Sequence, residues 1–117
     1  MAIHHQSQVA IERLSFGTTT EIVVRGELDI ASSADLRRDA EAALRDAPER
    51  IVVDLREVAF IDSTGINTLL RLRSRAIAQS VDMIVMRPAG TQDRIFQVCG
   101  IDGIFPKLDG TARGQGG

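Results

Sequence analysis

The alternation of apolar and polar positions gives the first structural expectation. Ile22, Val24, Gly26 and Leu28 interleave with Glu21, Val23, Arg25 and Glu27, the period of a strand with one buried face. Gln8 to Ser15 carry a weaker version of the pattern, and Gly17 to Thr19 have turn chemistry, so an opening hairpin with an edge strand over Gln8–Ser15 is expected. The period then changes. Leu36, Ala40, Ala43, Leu44 and Ala47 recur at helical spacing, with Ser32 or Ser33 available as the cap and Pro48 as a stop. Ile51, Val52 and Val53 form an unbroken β-branched run, as expected of a central strand covered on both faces of a parallel sheet.

A second helix follows the stretch FIDSTG, Phe60 to Gly65. Ile66, Leu69, Leu70 and Ile77 fall on one apolar stripe, and Arg71 and Arg75 lie one turn apart on another face. Val81 to Met86 reads as a further buried strand, Pro88 to Gly90 as a loop, Gln92 to Cys99 as a short helix and Ile104 to Leu108 as a last strand. Strands separated by helices imply right-handed crossovers, hence an α/β fold with a mixed sheet of about four or five strands and helices packed against it. With no internal repeat and no dividing linker, residues 8–109 are expected to form one domain between a flexible N-terminus, 1–7, and a flexible Gly-rich tail, 110–117.

Composition narrows the function classes. At 117 residues with 44% hydrophobic and 26% charged side chains, the chain can build a core without staples. A formal charge of −2 gives no global case for nucleic acid or an anionic membrane. Trp and Tyr are absent and Phe occurs four times, too little aromatic surface for stacking bases, so direct DNA binding is not expected. Met1 to Ala10 lack a basic region followed by an apolar one, and the apolar runs are short, so neither a signal peptide nor a membrane span is expected and the cytoplasm is. The single cysteine, Cys99, fits a reducing compartment. Its neighbours Ile95, Phe96 and Val98 suggest a buried thiol.

Enzyme chemistry lacks its parts. DSTG has no Gly two residues before its Ser, and His4 and His5, the only histidines, stand near the N-terminus, so no nucleophile elbow or Ser-His-Asp triad can be assembled. An aspartic-protease loop would have one hydroxyl residue between its Asp and Gly, and a second such loop or a matching subunit; the spacing here is different. No phosphate-cradling Gly loop occurs, because Gly110, Gly114, Gly116 and Gly117 lie in the tail. His4 and His5, with no Cys or carboxylate cluster nearby, are more often solvated than metal ligands. No catalytic residue, metal site or cofactor is therefore assigned. Arg71, Arg73 and Arg75 read as the solvated side of a leucine-rich helix, with those nearest its start available for docking.

What remains is Ser63. A hydroxyl at a helix N-terminus lies beside backbone N–H groups and the positive end of the macrodipole, where an added phosphate is tolerated. That phosphate brings about −1.5 to −2 charges and can abolish complementarity with a docked surface. The competing reading is that Ser63 only caps the helix and Gly65 only eases the turn.

GELD at Gly26–Asp29 and FIDSTG at Phe60–Gly65, with the element order between them, resemble the STAS domain family, and within it the stand-alone anti-sigma factor antagonists of the SpoIIAA type. The resemblance covers Val9 to Leu108. It implies that Ser63 is a phosphoacceptor, with Thr64 where relatives often carry a second hydroxyl. It also implies a partner-binding surface of Asp29, Asp62, Ser63, Thr64, Gly65 and Asn67. Asp62 is open to three readings: a second cap, a metal ligand used by a kinase, or a residue that positions Ser63. Asp29 is either the cap of the first helix or part of the partner surface, its GELD loop lying beside the DSTG loop at one end of the sheet.

The function so implied is not enzymatic. The unphosphorylated protein binds an anti-sigma factor serine kinase and releases a sigma factor; that kinase phosphorylates Ser63 and weakens the complex; a PP2C-type phosphatase restores it. The alternative is a constitutive STAS assembly subunit of a lipid-transport ABC system, in which Ser63 is never modified. The retained hydroxyl favours the first.

Overall fold

The computed structural model describes residues 9–107. In chain order it runs β1 (Val9–Phe16), β2 (Thr19–Leu28), α1 (Ile30–Arg45), β3 (Arg50–Ile61), α2 (Ser63–Ala78), β4 (Asp82–Met86), a 3-10 turn (Gly90–Asp93) and α3 (Arg94–Val98). The strands form one mixed sheet of order β1-β2-β3-β4, antiparallel between β1 and β2 and parallel thereafter. The expected hairpin is present with β1 at the sheet edge; its expected first residue, Gln8, lies outside the described residues.

Each parallel step needs a helical crossover. α1 and α2 lie side by side, bridged by the Arg75 Nε–Glu41 Oε2 ion pair at 3.1 Å. Between these helices and the sheet sits the core: Ile22, Val24 and Leu28 from β2, Ile51, Val53, Leu55, Val58 and Ile61 from β3, Leu36 and Ala40 from α1, and Ile66, Leu69, Leu72 and Ala76 from α2. The opposite sheet face is polar in part. There Arg25 reaches Glu12 of β1 at 3.3 Å and Glu57 of β3 at 3.2 Å, spanning three strands.

β3 is far longer than the Ile51–Val53 run that announced it. Two register shifts against β2, between Val23 and Arg25 and between Gly26 and Glu27, each place one extra residue on β3. Such bulges bend and re-aim a strand. The first is held by Asp54, whose Oδ1 accepts the Arg56 N–H at 3.0 Å while the Arg56 guanidinium pairs with both carboxylate oxygens. At the second, Gly26 has φ +106°, a conformation that glycine adopts without a Cβ penalty.

Several expectations are corrected. α1 starts earlier than Ser32 or Ser33: Asp29 is its N-cap and Ser32 the third helical residue of a capping box. The helix ends at Arg45, and Ala47, expected on its apolar stripe, is exposed with φ +51°. Ile77 is exposed rather than buried; Leu72 and Ala76 close the α2 stripe instead. Gln92–Cys99 divides into the 3-10 turn and α3. Ile104–Lys107 form no strand, because the N–H groups of Ile104 and Phe105 both turn back to the Ile101 carbonyl; Leu108 lies outside the described residues. Cys99 is exposed, beyond the α3 turn that buries Phe96. The expected termini, 1–7 and 110–117, also lie outside the described residues.

The segment after β4 is organised by one buried cation. Arg87 donates to Asp93 Oδ1 at 2.6 Å, to Asp102 Oδ1 at 2.6 Å and to the Phe105 carbonyl at 3.1 Å. Its guanidinium lies 4.7 Å from the centroid of the Phe96 ring, which meets Phe105 edge-on at 6.3 Å. Burial raises the Asp93 carboxyl pKa, but the hydrogen bonds from Arg87 and Lys107 outweigh it and leave it below its ordinary value.

Removing one partner of such a buried pair costs about 3–5 kcal/mol, so Arg87→Met should lower the urea midpoint by that equivalent. Because Asp93 titrates lower when folded, its contribution is complete above the unfolded value of about 3.9 and fades as pH falls through the folded value. Acid unfolding followed by circular dichroism should therefore be shallower in Asp93→Asn than in the parent. Ser33 Oγ is buried without a hydrogen-bond partner among the described residues, so Ser33→Ala should be neutral or stabilising by up to about 1–3 kcal/mol. A clear loss of stability would mean the hydroxyl has an unseen partner.

Candidate functional site

The site is built where two parallel strands end together. Leu28 pairs with Ile61, the last residue of each strand, and the next residue in each chain segment is an aspartate: Asp29 and Asp62. Each caps the helix that follows. Asp62 Oδ1 accepts the N–H groups of Thr64 at 3.0 Å and Gly65 at 3.1 Å. Asp29 Oδ1 accepts Ser32 N–H at 3.0 Å, while Ser32 Oγ accepts Asp29 N–H at 2.9 Å and donates to the Glu27 carbonyl at 2.6 Å. The backbone hydrogen bond from Ser32, above all, holds the Asp29 carboxyl below its ordinary pKa.

The two loops are joined directly. Asp62 N–H donates to the Leu28 carbonyl at 3.3 Å, so the GELD and DSTG loops lie side by side at one end of the sheet. Gly65 makes the approach possible. A Cβ there would stand 2.9 Å from the Leu28 carbonyl oxygen and 2.9 Å from Ile61 Cγ1, closer than such atoms can sit. The glycine is required by space and not by a left-handed backbone.

This geometry settles what caps α2. Asp62 does, and Ser63, the first helical residue, is exposed with no hydrogen-bond partner among the described residues. The hydroxyl has no structural task here. The geometry also revises the argument for a tolerated phosphate, since Asp62 already occupies the N–H groups of Thr64 and Gly65. A phosphate on Ser63 would stand beside that carboxylate and project outward. Thr64 is half-buried, and Asn67 is exposed one turn further along α2.

The STAS domain profile matches residues 11–113. The chain belongs to the STAS domain family. This STAS domain is 30% identical over 82 residues to the anti-sigma-F factor antagonist RsfB of Mycobacterium tuberculosis, an alignment covering 70% of this chain and 66% of RsfB. In structure it resembles an anti-sigma factor antagonist from Mycobacterium paratuberculosis, with a TM-score of 0.81, 21% identity and 92% coverage of each chain. It also resembles the unphosphorylated anti-sigma factor antagonist SpoIIAA, with a TM-score of 0.74, 22% identity and coverage of 92% of this chain and 97% of that one. These structural likenesses establish the fold: the mixed four-stranded sheet with its helices is the SpoIIAA-like STAS fold. No helix among the described residues is long and apolar enough to cross a membrane, and the described residues hold no cluster of three metal-ligating side chains.

Three residues beside the site escaped sequence reasoning. Ile30, the first residue of α1, is 74% exposed, and Phe60, one residue before the end of β3, is 43% exposed. Both are large apolar side chains in water at the same sheet end as Ser63. The signal for Ile30 was available, because it falls outside the stripe of Leu36, Ala40 and Ala43. Gln92 had no such signal. Its side-chain oxygen accepts the Ile61 N–H at 3.0 Å, a donor that β4 leaves unpaired because its ladder with β3 ends at Asp54–Met86.

Gly65→Val should destabilise the STAS domain by about 1–3 kcal/mol or more, since the obstructing Leu28 carbonyl cannot rotate away. A urea titration equal to the parent's would show that the loops part without cost. Asp62→Ala should cost about 0.5–2 kcal/mol as a lost cap, read in the same titration.

Proposed function

We propose that this STAS domain is an anti-sigma factor antagonist controlled by phosphorylation of Ser63. In its unphosphorylated form it binds an anti-sigma factor that is also a serine kinase, and so frees a sigma factor. The kinase transfers a phosphate to Ser63 and the complex weakens; a PP2C-type phosphatase reverses the change. The likeness to RsfB, an anti-sigma-F factor antagonist, supports the first part of this reading.

The observation that carries the switch is the division of labour between Asp62 and Ser63. Asp62 satisfies the helix start, which leaves the Ser63 hydroxyl exposed and free for chemistry. A kinase needs such a group, and phosphorylation does not have to break a cap to occur. Added charge of about −1.5 to −2 then stands beside Asp62 and near Asp29, where the protein cannot neutralise it internally. An acidic partner surface is then repelled, and an apolar one can cover the site only by desolvating the added charge. Ile30 and Phe60, exposed at the same end, supply apolar area for docking, and Asp29, Thr64, Gly65 and Asn67 complete the surface.

Ser63→Ala removes the acceptor without removing a cap. Stability should change by less than about 0.5 kcal/mol, binding to the anti-sigma factor should persist, and ATP should no longer weaken it. Ser63→Asp should bind more weakly while remaining folded. Calorimetry with the purified anti-sigma factor, and mass spectrometry after incubation with it and Mg-ATP, measure both. Equal affinity of the two variants, with no effect of ATP on the parent complex, would remove the switch.

A further inference from the structure

Ser63 begins a stripe that continues along α2. Asn67 and Arg71 follow at successive turns, all exposed, which puts Arg71 about 12 Å from Ser63 along the helix axis. At Arg71 the stripe meets α1, and the two helices enclose a cleft of about 350 Å³ lined by Arg37, Glu41, Arg71, Ser74 and Arg75. Within it Arg75 is neutralised by Glu41 at 3.1 Å. Arg37 and Arg71 have no ion-pair partner among the described residues and are exposed. The cleft is thus locally cationic in a chain of net charge −2.

We propose that this cleft is a second docking site, for a carboxylate-rich segment of the protein partner, with Arg37 and Arg71 as its specificity residues. The inference rests on the antagonist reading, since Ser63, Asn67 and Arg71 make the cleft continuous with that docking surface. Its chemistry selects the occupant. All five lining residues carry charged or polar groups, whereas the pockets of small apolar ligands are lined mostly by hydrophobic side chains. It also lacks the backbone N–H cradle that holds a compact phosphate, since its lining is side chains on two helices. An extended acidic segment can place carboxylates on Arg37 and on Arg71 while passing Glu41, forming forked ion pairs with each guanidinium. Phosphorylation at Ser63 acts at the other end of the stripe, so the cleft provides affinity and partner choice while the hydroxyl provides control.

The test uses the full chain, labelled with nitrogen-15, titrated with an acetylated hexaglutamate peptide. The amide signals of Arg37, Glu41, Arg71, Ser74 and Arg75 should shift, and the shifts should vanish when salt is raised from about 0.05 to about 0.5 M. The double variant Arg37→Glu, Arg71→Glu should bind the peptide about tenfold more weakly or worse, each attraction becoming a repulsion. Arg37→Gln with Arg71→Gln serves if the reversal unfolds the protein, judged by circular dichroism. Arg94→Glu makes a single reversal at the exposed first residue of α3, outside the cleft, and should leave peptide affinity unchanged. The inference is overturned if the cleft amides do not shift, if Arg94→Glu weakens binding as much as the double variant, or if tripolyphosphate binds there more tightly than the peptide. Because the peptide titration involves neither Ser63 chemistry nor an anti-sigma factor, its failure leaves the switch intact, and failure of the Ser63 variants leaves the titration to stand by itself.

Discussion

The parallel pairing that ends with Leu28 opposite Ile61 is the constraint on which the site depends. β2 and β3 differ in length by two residues, and the two bulges absorb that difference. Without them the strand ends would fall out of step and Asp29 would not lie beside Asp62. Because the residues after the strands are both helix caps, one alignment positions two helix starts at once. The Asp62–Leu28 hydrogen bond and the absent Cβ at Gly65 then lock the loops together. The sheet register, more than any single side chain, decides what Ser63 stands next to.

On the proposed reading of Ser63, that arrangement separates holding from switching. A serine that capped its own helix would lose the cap on modification, and the phosphate would alter the fold as well as the surface. Here Asp62 takes the backbone donors and Ser63 takes none. Under the proposed phosphorylation, the cost of adding a phosphate would therefore be electrostatic and local, set by neighbouring carboxylates. Asp29, held ionised by the Ser32 N–H, adds to it. Charge repulsion at a rigid surface is well suited to control association, because it changes binding without requiring the protein to rearrange.

Much of this was legible in the residues. Alternation in Glu21–Leu28 gave β2, the β-branched run gave the centre of β3, and the Leu-rich stripe gave α2, because each pattern is a direct record of burial. DSTG was legible as a helix start, but which of its polar residues caps was not, since Asp and Ser are both good caps and only geometry chooses. The same ambiguity left Asp29, Ser32 and Ser33 all open as the cap of α1, and the structure chooses Asp29. Ile77 misled because an apolar residue at helical spacing is not always on the inner face; Leu69, Leu72 and Ala76 take that face, and Ile77, one residue past Ala76, is exposed. The last segment failed for a different reason: Ile104 and Phe105 look like a strand, yet Phe105 is buried by its ring against Phe96 and by its carbonyl on Arg87, long-range contacts that no local pattern encodes.

Those long-range contacts also reach the site. Arg87 fixes Asp93, and Asp93 is the neighbour of Gln92, whose side chain satisfies the Ile61 N–H immediately before the Asp62 cap. The chain of contacts runs from a buried guanidinium to the base of the DSTG loop through side-chain hydrogen bonds and adjacent backbone. A buried ion pair is seldom the most stabilising way to fill a core. In this position it has a geometric consequence that an apolar replacement would lack, because its directional hydrogen bonds fix the 3-10 turn in register with the free end of β3. Where β4 stops short, Gln92 completes the ladder, and the strand end that carries Asp62 and Ser63 is held from both sides: by Leu28 across the parallel pair and by Gln92 across the gap.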